Sequence, residues 1–129
     1  MLFFESRVAS VIWNADLEAV ELRWKMFAKG EEFKEALNQG LELVRQKKAA
    51  HWLGDTSDMS AIPLEDQEWV NTNWFPRAIS SGIKRMAVIV PKSAIAKMSV
   101  QNIVSRFNTL EVHNFGEKSE AAQWLKSQE

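Results

Sequence analysis

Apolar and polar residues alternate with a period of two over residues 20–26, where Glu21, Arg23 and Lys25 separate Val20, Leu22, Trp24 and Met26. That period belongs to a strand with one buried and one wet face. Two shorter runs precede it, at residues 2–5 and 8–13, rich in β-branched and aromatic residues, and Asn14-Ala15-Asp16 supplies turn chemistry. The period changes at Gly30. Over residues 31–48, Phe33, Leu37, Leu41 and Val44 fall on one helical stripe, with Glu32, Lys34, Glu35 and Arg45 outside it. Glu31 and Glu32 in the first turn and Lys47 and Lys48 in the last complement the helix dipole.

His51-Trp52-Leu53-Gly54-Asp55 then reads as a short strand ending on a carboxylate, and Thr56-Ser57-Asp58 as a polar loop. Pro63 opens a helix. On an α-helical wheel its core side holds Leu64, Val70, Trp74, Phe75, Ala78 and Ile79, while Trp69 falls opposite, near Asp66 and Asn73. Pro76 is expected to kink or divide this helix, and Gly82 to end it. Residues 85–90 lack alternation, which predicts a central strand covered on both faces. There follow a helical turn at 93–97, a helix capped by Ser99 with Val100, Ile103, Val104 and Phe107 as its stripe, a strand at 110–115, and a closing helix at 117–126 that buries Ala121, Trp124 and Leu125.

This order predicts one α/β domain over the whole chain. Its mixed sheet has five or six strands, antiparallel at the N-terminus and continuing into parallel βαβ units, with about four helices. Loops at the carboxyl ends of parallel strands are where such folds place their sites.

Composition narrows the function classes. With 16 basic and 17 acidic residues, and the basic ones scattered, nucleic acid is not an expected partner. Arg45-Gln46-Lys47-Lys48 is the densest basic cluster, and it closes a helix. There is no cysteine, which excludes disulfides, thiolate metal sites and a cysteine nucleophile and fits a cytoplasmic location. Glu5 and Arg7 interrupt the only early apolar run, so neither a signal peptide nor a membrane span is expected.

Catalytic motifs do not emerge. The five glycines form no phosphate-binding pattern, no serine lies in a nucleophile elbow, and His51 and His113 lack partners at metal-ligand spacing. No catalytic residue, metal or cofactor is therefore assigned. Asp55, Asp58, Glu65, Asp66 and Glu68 crowd one loop and the following helix, but they match no calcium loop and suit caps and first turns equally well. Six tryptophans and no tyrosine stand out. Five of the six sit on faces assigned to packing, and Trp69 does not. The candidate ligand- or partner-binding residues are Asp55, Thr56, Ser57 and Asp58 in the loop, with Trp69 and Asn73 on the outer helix face.

The pattern resembles the STAS-like superfamily, which includes bacterial anti-sigma-factor antagonists, and more closely its SpoIIAA-like branch of small bacterial proteins, related in fold to lipid-binding CRAL-TRIO domains. The residues carrying this resemblance are Trp24, Leu53-Gly54-Asp55-Thr56, Trp69 with Trp74-Phe75-Pro76, residues 84–91, and Phe115 with Glu120-Ala121-Ala122-Gln123-Trp124-Leu125. In the antagonists, a D-S-S-G helix start carries a phosphorylatable serine. Aligning Asp55 and Ser57 with that loop sets Pro63-Leu64-Glu65-Asp66 at the helix start, so the phosphoacceptor is missing and the charge switch it would provide is not implied. The resemblance implies a non-catalytic regulatory or interaction module that self-associates or binds a protein partner. The alternatives are a carrier of lipid or a small apolar ligand, and an enzyme using the Asp55/Asp58 loop.

Overall fold

In the computed structural model, residues 1–92, 97–100 and 110–127 are described. Three strands, β1 (Leu2–Glu5), β2 (Ala9–Asn14) and β3 (Ala19–Trp24), form an antiparallel meander. Helix α1 (Gly30–Lys47) leads to β4 (His51–Asp55), which lies parallel to β3. A second helical stretch comprises α2 (Leu64–Trp69), a π-helical segment (Val70–Trp74) and α3 (Phe75–Ser80). Next come β5 (Arg85–Ile89) and β6 (Glu111–Phe115), both added in parallel, and α4 (Lys118–Ser127).

The six strands stand in chain order. Crossovers of one hand between strands so ordered fall on one side of a sheet. Accordingly α1 and the helix over residues 64–80 share one face, against Val20, Leu22, Trp24, Trp52, Met86 and Val88. The other face carries α4, whose Ala121 and Leu125 meet Ala19, Leu53, Ala87 and Ile89. Strand β5 is buried on both faces, as its unbroken apolar run predicts.

Close packing of α1 on the sheet depends on Gly40. A Cβ there would overlap the edge of the Trp52 ring, clashing with Cη2 and lying 2.9 Å from Cζ3. The same indole meets Trp74 edge-on at 4.9 Å, and Trp74 donates from Nε1 to the Leu37 carbonyl at 2.9 Å. Glycine in a helix costs about 1 kcal/mol relative to alanine, and here it lets two tryptophans wedge between helix and sheet.

Several expectations need correction. The alternation over residues 20–26 does not leave a wet face throughout. Glu21 is buried and bonded to Lys118 Nζ at 2.7 Å and Asn14 Nδ2 at 3.2 Å, because α4 begins over it. Met26 lies beyond the end of β3 and is exposed. Strand β5 ends at Ile89, one residue early. Leu64 is 74% exposed rather than core, and Asp66 is buried rather than outward. Residues 97–100 are helical, so Ser99 lies inside a helix rather than capping one. The turn expected at 93–97 and the stripe continuing through Ile103, Val104 and Phe107 lie largely outside the described residues.

Candidate functional site

Strand β4 delivers Asp55 to the carboxyl end of the sheet, on the face of Leu53, while Trp52 and Gly54 point the other way. Asp55 Oδ1 accepts from the Ser57 backbone N–H at 3.1 Å and from Ser57 Oγ at 2.6 Å, a turn of the kind that Asp and Ser favour. Thr56 donates from both its backbone N–H and its hydroxyl to the Ile89 carbonyl, stitching the loop to the end of β5. The Met59 N–H returns to the Thr56 carbonyl at 3.0 Å. The four predicted loop residues are thus adjacent but differ in availability. Asp55 and Thr56 are buried and bonded, Ser57 is half-buried, and Asp58 is exposed.

Beyond this turn the chain folds inward. Met59 and Ile62 are buried and help wall an apolar cavity of about 70 Å³ between sheet and helices, which Trp24, Phe33, Trp52 and Trp74 also line. Gly54 opens the cavity floor by having no side chain. The volume is below the roughly 300 Å³ of ordinary ligand pockets and suits an object the size of a few heavy atoms.

Trp69 and Asn73 lie elsewhere, on the flank where the second helical stretch meets α1. Trp69 is half-buried against the core and covered by cations from both helices, Lys34 Nζ at 5.5 Å and the Arg77 guanidinium at 5.8 Å from its ring centroids. Arg77 also donates to Asn73 Oδ1 at 3.0 Å and to Asn38 Oδ1 at 2.8 Å. The indole therefore does not stand free opposite the core face, as a straight wheel requires. The π-helical segment between Trp69 and Phe75 alters the angular register, and it abuts Pro76, which has no N–H to bond backward.

Sequence reasoning missed two groups. Asp66 accepts from the Gly30 N–H at 3.1 Å through Oδ2, satisfying one orphan donor at the start of α1, whose own N-cap residue Lys29 makes no side-chain cap. The second group is a set of exposed apolar side chains: Met26 and Phe27 after β3, Leu64 after the β4 loop, and Met98 in the connection after β5. All four lie on connections leaving the carboxyl ends of three adjacent parallel strands. Met26 and Leu64 carry no marker in the sequence, since periodicity places both on buried faces.

The two resolved pKa shifts belong to surface pairs: Lys25 hydrogen-bonds Glu5 and holds its carboxyl below the usual range, and Glu32 raises Arg7. Among the described residues no three of His, Asp and Glu gather as a metal site, and no helix is long and apolar enough to cross a membrane.

The SpoIIAA-like family profile matches residues 19–126. Among solved structures the chain is similar to an uncharacterized DUF3478-family protein with a SpoIIAA-like fold from Shewanella loihica PV-4, at 13% identity and a TM-score of 0.60, covering 95% of this chain and 98% of that one. No curated protein matches.

Proposed function

The chain belongs to the SpoIIAA-like family, and on that premise we propose that it is a non-catalytic, cytoplasmic interaction module of STAS-like fold that associates with protein, first of all with a second copy of itself. The observation that carries this reading is the exposure of Met26, Phe27, Leu64 and Met98, all on connections that leave the carboxyl ends of the parallel strands. Large apolar side chains left in water favour an interface, and methionine adapts to irregular partners. The surface extends from Leu64 past a cleft lined by Lys29, Lys34 and Glu65 to Trp69 and Asn73. It also takes in the loop at half-buried Ser57 and exposed Asp58. The buried carboxylates here act structurally, Asp55 in its turn and Asp66 on α1, which favours binding over acid–base chemistry. Pro63 before the first turn of α2, in place of a phosphoacceptor, fits an unswitched module.

Sedimentation velocity on wild type and on Phe27→Ser combined with Leu64→Ser tests this. Wild type should associate with rising concentration, and the double variant should weaken that association at least about tenfold, with an unchanged urea midpoint. A wild type that stays monomeric at every concentration refutes self-association. The apolar cavity favours a second reading, a carrier of a small apolar ligand. Native mass spectrometry of the purified protein reports retained ligand and subunit number together.

A further inference from the structure

The apolar cavity between sheet and helices contains a polar group that the fold leaves unused. An indole N–H donates and cannot accept, and a buried one usually finds an acceptor. Trp74 follows this rule by giving its Nε1 to the Leu37 carbonyl. Trp52 is as deeply buried, at 3% exposed. Its Nε1 nevertheless meets no acceptor among the described residues.

Local geometry places that donor at the cavity. Trp52 and Gly54 are two apart on β4, so they share the sheet face that the helices cover, and both line the cavity. The six-membered ring of Trp52 lies against α1 at Gly40, and its five-membered ring lies beside Gly54. A Cβ on Gly54 would stand 3.4 Å from Nε1 and 3.8 Å from Cδ1. Gly40 thus admits the ring, and Gly54 leaves its N–H uncovered. The rest of the lining restricts what can fill the space. Leu22, Phe33, Met59, Ile62 and Met86 are apolar, and no lining residue is charged. The Thr56 hydroxyl already donates to the Ile89 carbonyl. Among such side chains a water would lack the roughly three hydrogen bonds that buried waters keep.

We propose that the cavity binds a small uncharged carbonyl compound, a short-chain ketone or aldehyde, whose oxygen accepts from Trp52 Nε1 while its alkyl part packs among the aromatic rings. Binding of this kind rests on the second reading above, that the cavity takes a small ligand, and Trp52 adds the polar group that selects it. A carboxylate or an ammonium group is excluded, because its charge would be buried without a partner. A hydrocarbon fits but leaves the N–H unpaired, and the hydrogen bond favours the carbonyl compound about fivefold.

The test titrates acetone and isobutene, which are alike in shape, into the full chain and follows the indole N–H and side-chain methyl resonances. Acetone should move the Trp52 indole proton downfield and saturate. Isobutene should shift the methyl groups lining the cavity without that downfield movement. Trp52→Phe removes the donor and should weaken acetone about fivefold while leaving isobutene as tight or tighter. Gly54→Ala sets a methyl group beside the donor and should weaken acetone about tenfold. Its urea midpoint should be unchanged or raised, because the added Cβ meets Trp52 at an ordinary contact distance and alanine weakens a strand less than glycine. If Gly54→Ala does not fold, the two titrations of Trp52→Phe decide. The proposal is overturned if acetone leaves the Trp52 resonance in place, if Trp52→Phe weakens both ligands equally, or if folded Gly54→Ala binds acetone as the wild type does. Entry of isobutene without acetone keeps the carrier reading and sinks this one, and entry of neither sinks both. Self-association is read separately, by sedimentation.

Discussion

Helix α1 and the helical stretch over residues 64–80 cover the same face of one sheet by different means. The first is an unbroken 18-residue helix whose buried side is Phe33, Ala36, Leu37, Gly40, Leu41, Leu43 and Val44, without a polar side chain. The second changes from α to π and back, and it buries Asp66, Gln67 and Asn71 among its apolar residues. Two of these polar groups find directional partners: Asp66 takes the Gly30 N–H, and Gln67 Nε2 donates to the Ile62 carbonyl at 2.7 Å. Trp74 adds its bond to Leu37. Two of these three bonds end on α1, at Gly30 and Leu37, so the polar groups of the second helix fix the two helices in register with each other. The aromatic cavity lies between the two.

The largest break in this comparison should come from Trp74→Ala, which removes a fully buried indole and leaves the Leu37 carbonyl without its side-chain donor; urea unfolding should show a loss of about 3–5 kcal/mol. Gly40→Ala attacks the same contact from α1. Alanine gains about 1 kcal/mol of helix propensity, but its methyl overlaps a Trp52 ring already pinned by Trp74. A net loss of about 1–2 kcal/mol is expected, and a gain would show that the ring can retreat. Asp66→Ala should cost about 1 kcal/mol and expose the first amides of α1 to hydrogen exchange, with Asp66→Asn recovering most of the loss.

The fourth variant sharpens the contrast instead of breaking it. Both amide atoms of Asn71 are buried without a hydrogen-bond partner among the described residues. Asn71→Leu makes the second helix more like α1 and should stabilise the protein by about 1 kcal/mol. A loss of stability in the thermal midpoint would instead reveal that the amide has a partner in solution, such as a bound water.

The same contrast explains what the sequence made legible. The stripe of α1 is visible because regular α geometry and a single apolar face reinforce each other. The βαβ order is equally visible, since a change of hydrophobic period locates each strand without any long-range information. The second helix misleads because its buried residues, 66, 70, 74 and 78 with 67, 71 and 75, recur every four positions. On a wheel of 3.6 residues per turn that spacing drifts by about 40° each time, so Leu64 and Trp69 are assigned wrongly. Such a four-residue repeat is itself the trace of a π turn. Asp66 was unreadable for another reason: its partner is an N–H 36 residues away, and polarity alone suggests the surface. At the candidate site, the Asp55–Ser57 turn is local chemistry and could be anticipated. The cavity is assembled from separated segments and has no sequence signature.

The strict chain order of the six strands has a consequence for biogenesis. Each strand joins the outer edge of the one made just before it, so no strand must be threaded between two already paired. A chain leaving the ribosome can complete the β1–β3 meander while α1 is still being translated, then lengthen the sheet in one direction as each helical crossover emerges. The growing edge is always the newest strand, and for most of synthesis that edge is β3, β4 or β5, the apolar centre of the finished protein. Each growing edge is thus exposed only for the time needed to translate the next crossover, and the edges of the completed sheet are β1 and the short, polar β6, with Glu111, His113 and Asn114.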